Sequence, residues 1–262
     1  MKIIVCAKQV PDTNEVKIDP VKNTLIREGV PSILNHDDAN ALEEALKVKV
    51  QFPDTHITVI SMGPPQAASM LRDCIALGAD EAILLSDRAL GGSDTWATSN
   101  ALAAAVKKIG DYDVIFAGRQ AIDGDTAQVG PQLAEKLNIP QVTYVKEFAV
   151  KGKTVTVKRA LENGYELIEL QTPCLLTAIK ELNTLRYPTV SGIYDACKKT
   201  IPTWSADDIG IDKETVGLKA SPTNVFRSFT PAPRGKGVAI AGDTAAELAT
   251  NLMIQLKEKQ LV

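Results

Sequence analysis

Short apolar runs alternate with stretches of helical period along the first half of the chain. Residues 2–8 (KIIVCAK), 56–63 (HITVISMG), 81–87 (EAILLSD) and 113–118 (DVIFAG) are rich in β-branched residues and show almost no polar alternation. Strands covered on both faces of a parallel sheet read this way. Between them the pattern predicts helices: one from Asp37 (DDANALEEALKVK), one over 65–78 ended by Gly78, and one over 93–110 opened by Ser93 or Asp94 and closed before Gly110. Strand and helix in alternation predict an α/β fold, a parallel Rossmann-like sheet joined by crossovers. The stretch 11–30 breaks the rhythm with VKIDPVKNTLIRE (16–28) and reads as a surface hairpin on the first crossover.

From residue 140 the pattern changes. Residues 141–160 (QVTYVKEFAVKGKTVTVKRA) alternate apolar and polar about Gly152, an added antiparallel hairpin with one wet face, and 166–179 (ELIELQTPCLLTAI) reads as one further apolar strand. A short helix is expected after Pro188. Beyond Thr200 a segment containing Pro, Gly and Ser runs to about Arg234 without a core-forming pattern, followed by an amphipathic helix over 242–260. The division expected is an α/β domain over 1–199 and a C-terminal arm over 200–262. An arm of that composition buries little of itself, so it lies either on its own domain or on a partner subunit.

Charge removes some functions from consideration. With 29 Lys and Arg against 32 Asp and Glu in 262 residues, no basic excess points to a nucleic acid. No apolar segment reaches the length of a membrane span, and Pro11 interrupts the N-terminus too early for a signal peptide, so a cytoplasmic location is expected. The four cysteines, Cys6, Cys74, Cys174 and Cys197, lie far apart, and His36 and His56 are the only histidines, which supports neither a zinc site nor an iron–sulfur cluster. Cys6 and Cys74 read as buried small hydrophobes. His36 caps a helix or touches a ligand.

The stretch 117–131 (AGRQAIDGDTAQVGP) concentrates the candidate chemistry. It follows an apolar strand, and in open α/β sheets ligands sit beyond the carboxyl ends of strands near a switch point. Gly118, Gly124 and Gly130 let the backbone turn or approach a ligand, and Arg119 supplies a fork of donors. Asp125 and Thr126 are suited to cap the following helix, whose free N–H groups attract phosphate. Asp123 and Asp125 suit a pyrophosphate poorly; they hold ribose or ribityl hydroxyls, cap the helix, or pair with Arg119. The string matches neither standard glycine-rich phosphate motif, yet nucleotide binding remains the better reading.

Five segments together carry a family resemblance: IVCAKQVPD (4–12), LNHDDANALEEAL (34–46), SMGPPQAASMLRDCIALGAD (61–80), GRQAIDGDTAQVGP (118–131) and KELNTLRYPTVSGIYDACKK (180–199). In order over Lys2 to about Lys199, they resemble the β subunit of an electron-transfer flavoprotein. The resemblance implies an adenine-nucleotide-hydrolase-like α/β domain in a heterodimer, with a mobile FAD-bearing domain on the α subunit and a β-subunit arm reaching across it. Housekeeping members hold a structural AMP in β, and flavin-bifurcating members hold a second FAD. With Gly124 between two aspartates the loop is most like the bifurcating form; a glycine removes volume and permits positive φ beside a longer ligand.

The resemblance places the cofactor site at Cys6, Ala7, Asn35, Asp38 and Met62, with Gly118, Arg119, Gln120, Ala121, Asp123, Gly124, Asp125, Thr126, Ala127, Gln128 and Val129 from the loop. It implies that NADH gives a hydride to the β-bound FAD, that one electron passes to the α-bound FAD and a partner dehydrogenase, and that the other passes to ferredoxin or flavodoxin. The protein sets distance and potential, and no acid, base or nucleophile is needed. A partner-docking stretch is implied at 181–188, with Leu182 or Leu185 as the anchor beside Arg186 and Tyr187. The partner expected is an acyl-CoA dehydrogenase, an FAD-type lactate dehydrogenase or a quinone-linked oxidoreductase. Two alternatives stand beside this: a housekeeping subunit with AMP, and a stand-alone ATP-binding protein of the universal-stress type.

Overall fold

A computed structural model describes residues 1–12, 31–223, 225–226 and 235–262. Residues 13–30 of the hairpin expected over 11–30 lie outside the described residues, between β2 (Gln9–Pro11) and β3 (Ser32–Leu34), which pair antiparallel. The main sheet has nine strands. Their order is β11 (Thr203–Trp204), β5 (Glu81–Leu85), β4 (His56–Met62), β1 (Lys2–Cys6), β6 (Val114–Gly118), β10 (Cys174–Ala178), β7 (Gln141–Lys151), β8 (Thr154–Leu161) and β9 (Gly164–Gln171). Pairings from β11 to β7 are parallel; β7 with β8 and β8 with β9 are antiparallel.

The chain builds outward from β1 to β4 and β5, then returns to place β6 on the other side of β1. Crossovers therefore reverse direction between β1 and β6, and their carboxyl ends open a crevice there. Side chains alternate across the sheet as strand geometry requires. Ile3, Val5, Val59, Phe116 and Leu176 pack under α1 (His36–Gln51) and α2 (Ala67–Leu77), whereas Ile4, Cys6, Ile60, Ile115 and Leu175 pack under α3 (Thr95–Ile109) and α4 (Val129–Leu137). The expected helix signals hold in part: Asp94 caps α3 by accepting the Ala97 N–H, and Gly78 and Gly110 end α2 and α3 at φ 126° and 93°. Among the described residues no helix is long and apolar enough to cross a membrane.

One boundary differs from the expectation. The apolar run 166–179 is two strands, because the cis Thr172–Pro173 peptide separates antiparallel β9 from β10, which inserts parallel between β6 and β7. Proline has no N–H for a ladder, so a single strand through Pro173 is disfavoured. Residues 1–226 form one compact unit and 227–262 a second. Strand β11 extends the sheet beside β5, and Ala206, Ile209 and Val216 are buried against it, followed by α6 (Gly217–Ala220). These buried positions are spaced by turns rather than by a helix or strand period, which hid them from pattern reading. Helix α5 (Val190–Lys198), expected after Pro188, packs on α2, with Gly192 against the Ala76 carbonyl. The second unit, 227–262, contains α7 (Ala245–Glu258), capped by Thr244, which accepts the Glu247 N–H at 3.2 Å.

Candidate functional site

One buried carboxylate ties the two strand ends at the crevice. Asp38, in the first turn of α1, accepts the Lys8 N–H at 2.8 Å on Oδ2 and the Gly118 N–H at 2.9 Å on Oδ1. Both backbone donors lie where β1 and β6 part, so the carboxylate does there what sheet pairing no longer does. Burial pushes the Asp38 carboxyl up to about 7, against the Lys8, Asn35 and Gly118 hydrogen bonds that pull it down. Gly118 is obligatory for this approach: a Cβ would collide with Asp38 Oδ1 and lie 2.7 Å from the Asp38 nitrogen.

Asn35 stands at the N-terminus of α1 but makes no cap bond. Its fully buried side chain instead donates to Gln120 O at 2.8 Å and accepts from Ile122 N at 3.1 Å, which pins the loop at its first turn. Further along, Lys8 Nζ lies 2.6 Å from Asp123 Oδ1, and Gln120 Nε2 lies 2.7 Å from Asp125 Oδ1. Asp125 and Ala127 adopt left-handed φ of 48° and 52°. Such residues cost about 1–3 kcal/mol each and persist where surrounding structure holds them.

Several roles change as a result. The strained positions are Asp125 and Ala127, not Gly124, whose φ is ordinary and at which a Cβ would meet nothing within 4 Å among the described residues. Neither Asp125 nor Thr126 caps α4; Gln128 holds the N-cap position, makes no cap bond, and accepts from Thr95 Oγ1 at 2.9 Å. Gly130 serves close packing, since a Cβ would stand 2.6 Å from Thr177 Cγ2. Arg119 faces Asp37 rather than Asp123 or Asp125: its Nε is 3.3 Å from Asp37 Oδ2, and its guanidinium carbon is 5.8 Å from the Tyr144 ring centre. Burial pushes the Asp37 carboxyl above its ordinary range, with Arg119 and a Gln120 backbone hydrogen bond opposing.

The remaining expected residues sort by position. Cys6 and Ala7 are buried at the end of β1, and burial pushes the Cys6 thiol up to about 12, so it is inert as a nucleophile. Met62 ends β4 at the same sheet edge and packs on the α3 side. Cys74 is buried, and His36 is the exposed first residue of α1. The structure brings Cys6, Ala7, Asn35, Asp38 and the loop 118–129 together. It adds Lys8, Asp37, Tyr144 and Thr177, which the sequence reading did not assign. Lys8 and Asp37 lay inside quoted motifs; Tyr144 and Thr177 act through residues distant in the chain.

The stretch 181–188 lies on the middle of α1. Asn183 exchanges hydrogen bonds with Asn40 and reaches Glu44 at 2.9 Å, while Arg186 grips Glu43 bidentately at 2.8 and 2.9 Å. Arg186 therefore fastens the loop and is not a free docking cation. Leu182 is only 7% exposed and belongs to the core, which removes it as a presented anchor; Leu185 and Tyr187, 43% and 91% exposed, stand outside. Val190 and Tyr194 of α5 are exposed in continuation of them.

Among the described residues this arrangement is a backbone-lined crevice at a switch point that carries the Lys8 and Arg119 cations. The half-exposed Arg119 guanidinium, an α4 N-terminus without a side-chain cap and, among the described residues, open space at Gly124 fit an anion-bearing ligand such as a nucleotide. Comparison with known proteins shows the family. A model of the electron transfer flavoprotein domain matches residues 22–209. The CarD subunit of the caffeyl-CoA reductase–Etf complex of Acetobacterium woodii is 60% identical over 262 residues, all of both chains. The electron transfer flavoprotein subunit beta of Clostridium acetobutylicum is 57% identical over the full length of both. The acryloyl-CoA reductase electron transfer subunit gamma of Anaerotignum propionicum is 48% identical, again over all of both chains. With a matched domain covering most of the chain and relatives aligned along all of it, this chain belongs to the electron transfer flavoprotein family, among its β subunits.

Proposed function

We propose that this chain pairs with an electron-transfer flavoprotein α subunit, holds FAD in the crevice between β1 and β6, and takes electrons from NADH for bifurcation. The observation that carries the choice of FAD over AMP is the open side of Gly124 in a loop whose own acids are already engaged, which leaves room for the longer ligand. When bound, FAD accepts a hydride from NADH and releases electrons singly, toward the α-subunit flavin and toward ferredoxin or flavodoxin.

The residues of this chain bind and orient. Asp38 and Asn35 fix the loop, the backbone of Cys6, Ala7 and 118–129 lines the ligand, and Arg119 supplies the cation that favours negative charge on it. Leu185 and Tyr187 form the face offered to a partner flavoenzyme acting on acyl-CoA substrates, a class suggested by the names of the caffeyl-CoA and acryloyl-CoA reductase relatives. The C-terminal arm expected over 200–262 wraps the α subunit, and the complex works in the cytoplasm. Anaerobic titration of the purified heterodimer with NADH tests this. Bleaching equivalent to two flavins per heterodimer is expected; bleaching of none would leave the AMP-holding reading in its place.

A further inference from the structure

The surroundings of Arg119 hold two features that the loop does not need for its own fold. Arg119 is anchored through its backbone, which donates to Ala178 O at 2.9 Å. Its Nε and Asp37 Oδ2 lie 3.3 Å apart and buried, yet neither atom makes a hydrogen bond. Buried polar atoms are nearly always satisfied, so an incomplete pair beside the crevice marks a contact that tightens when something else arrives. Among the described residues, none hydrogen-bonds the terminal guanidinium nitrogens either, and the side chain keeps 35% of its surface.

The second feature is Tyr144. It holds φ at 57°, a conformation that bulky side chains rarely adopt. Its N–H is fixed by Thr177 Oγ1 at 3.1 Å, and the pairing of β7 shifts register on both flanks, between Leu176 and Ala178 and between Val145 and Glu147. Irregularities of this kind re-aim a side chain. Here the ring comes to lie 5.8 Å from the Arg119 guanidinium carbon.

We propose that Asp37 and Tyr144 are positioning residues that hold the Arg119 guanidinium by its Nε edge and by its face, so that its terminal nitrogens meet an oxygen acceptor of the bound nucleotide. The acceptor is a phosphate oxygen, common to AMP and FAD, or a carbonyl of the flavin ring, present in FAD alone. This rests on the loop being a nucleotide site, but not on which nucleotide fills it.

The test is a double-mutant cycle on the heterodimer, stripped of its β-site nucleotide and titrated calorimetrically with AMP and with FAD. Tyr144→Leu and Asp37→Asn are each expected to weaken binding about tenfold, and Tyr144→Phe, which keeps the ring, by no more than about twofold. In an Arg119→Gln background the same changes should alter affinity by less than about twofold, because the group they position is gone. Weakening toward both nucleotides identifies the phosphate as the acceptor; weakening toward FAD alone identifies the ring. Equal losses in both backgrounds, or no loss in either, overturn the proposal. Thermal melting of each variant separates misfolding from lost positioning. A site that takes only AMP defeats the FAD reading and leaves the cycle measurable with AMP.

Discussion

Helix α1 holds two loops, and it holds them differently. Its first turn binds the crevice loop through Asn35 and Asp38, whose buried side chains address backbone groups at Lys8, Gly118, Gln120 and Ile122. Its middle binds the 183–186 loop through Asn40, Glu43 and Glu44, which meet mainly the side chains of Asn183 and Arg186 and also the Asn183 carbonyl and the Arg186 N–H, and leaves Leu185 and Tyr187 outside. A loop that must present its main chain to a small ligand needs that main chain fixed. A loop that meets a protein needs only its stem fixed, with apolar side chains free to enter a pocket.

The comparison is broken most severely at Gly118. Gly118→Ala should cost about 3 kcal/mol or more, because the added Cβ displaces Asp38 and separates the strand ends it joins. Denaturant unfolding of the heterodimer and its nucleotide content should fall together. Full stability with full occupancy would mean that Asp38 does not bridge β1 and β6.

Asp38→Asn removes one acceptor and turns an amide toward a backbone N–H, with an expected loss of about 1–3 kcal/mol. It also carries a pH signature. Since the folded pKa is raised to about 7, the native state keeps a proton that the unfolded chain releases above about pH 4. The Asp38 contribution therefore favours folding below pH 4 and is lost as pH rises to 7. The variant should show a flatter stability profile across that window; an unchanged profile would remove Asp38 as its source.

The second loop responds in the opposite way. Leu185→Ala and Tyr187→Ala should leave stability within about 0.5 kcal/mol, since both side chains are exposed, while partner-linked electron transfer drops about tenfold. Loss of stability without loss of transfer would make this loop ordinary packing.

What could be read in the chain follows the same line. The parallel core was legible because β-branched runs such as 2–6 and 114–118 carry their burial locally, and the loop at 118–130 was placed correctly at the sheet's carboxyl edge. The bonds that shape that loop were not legible, since Lys8 and Asp123 lie 115 residues apart and Asp38 and Gly118 lie 80 apart. Tyr144 read as one position of an alternating strand, and only the structure shows its left-handed turn toward Arg119. Leu182 was expected as an anchor because the family resemblance puts a docking leucine at its place before Asn183, yet its neighbours in space are core.

The most direct measurement is a count of nucleotides released from the denatured heterodimer, made from this chain and its α subunit. Two FAD and no AMP per heterodimer are predicted; one FAD with one AMP would contradict the claim that the crevice between β1 and β6 holds a redox cofactor.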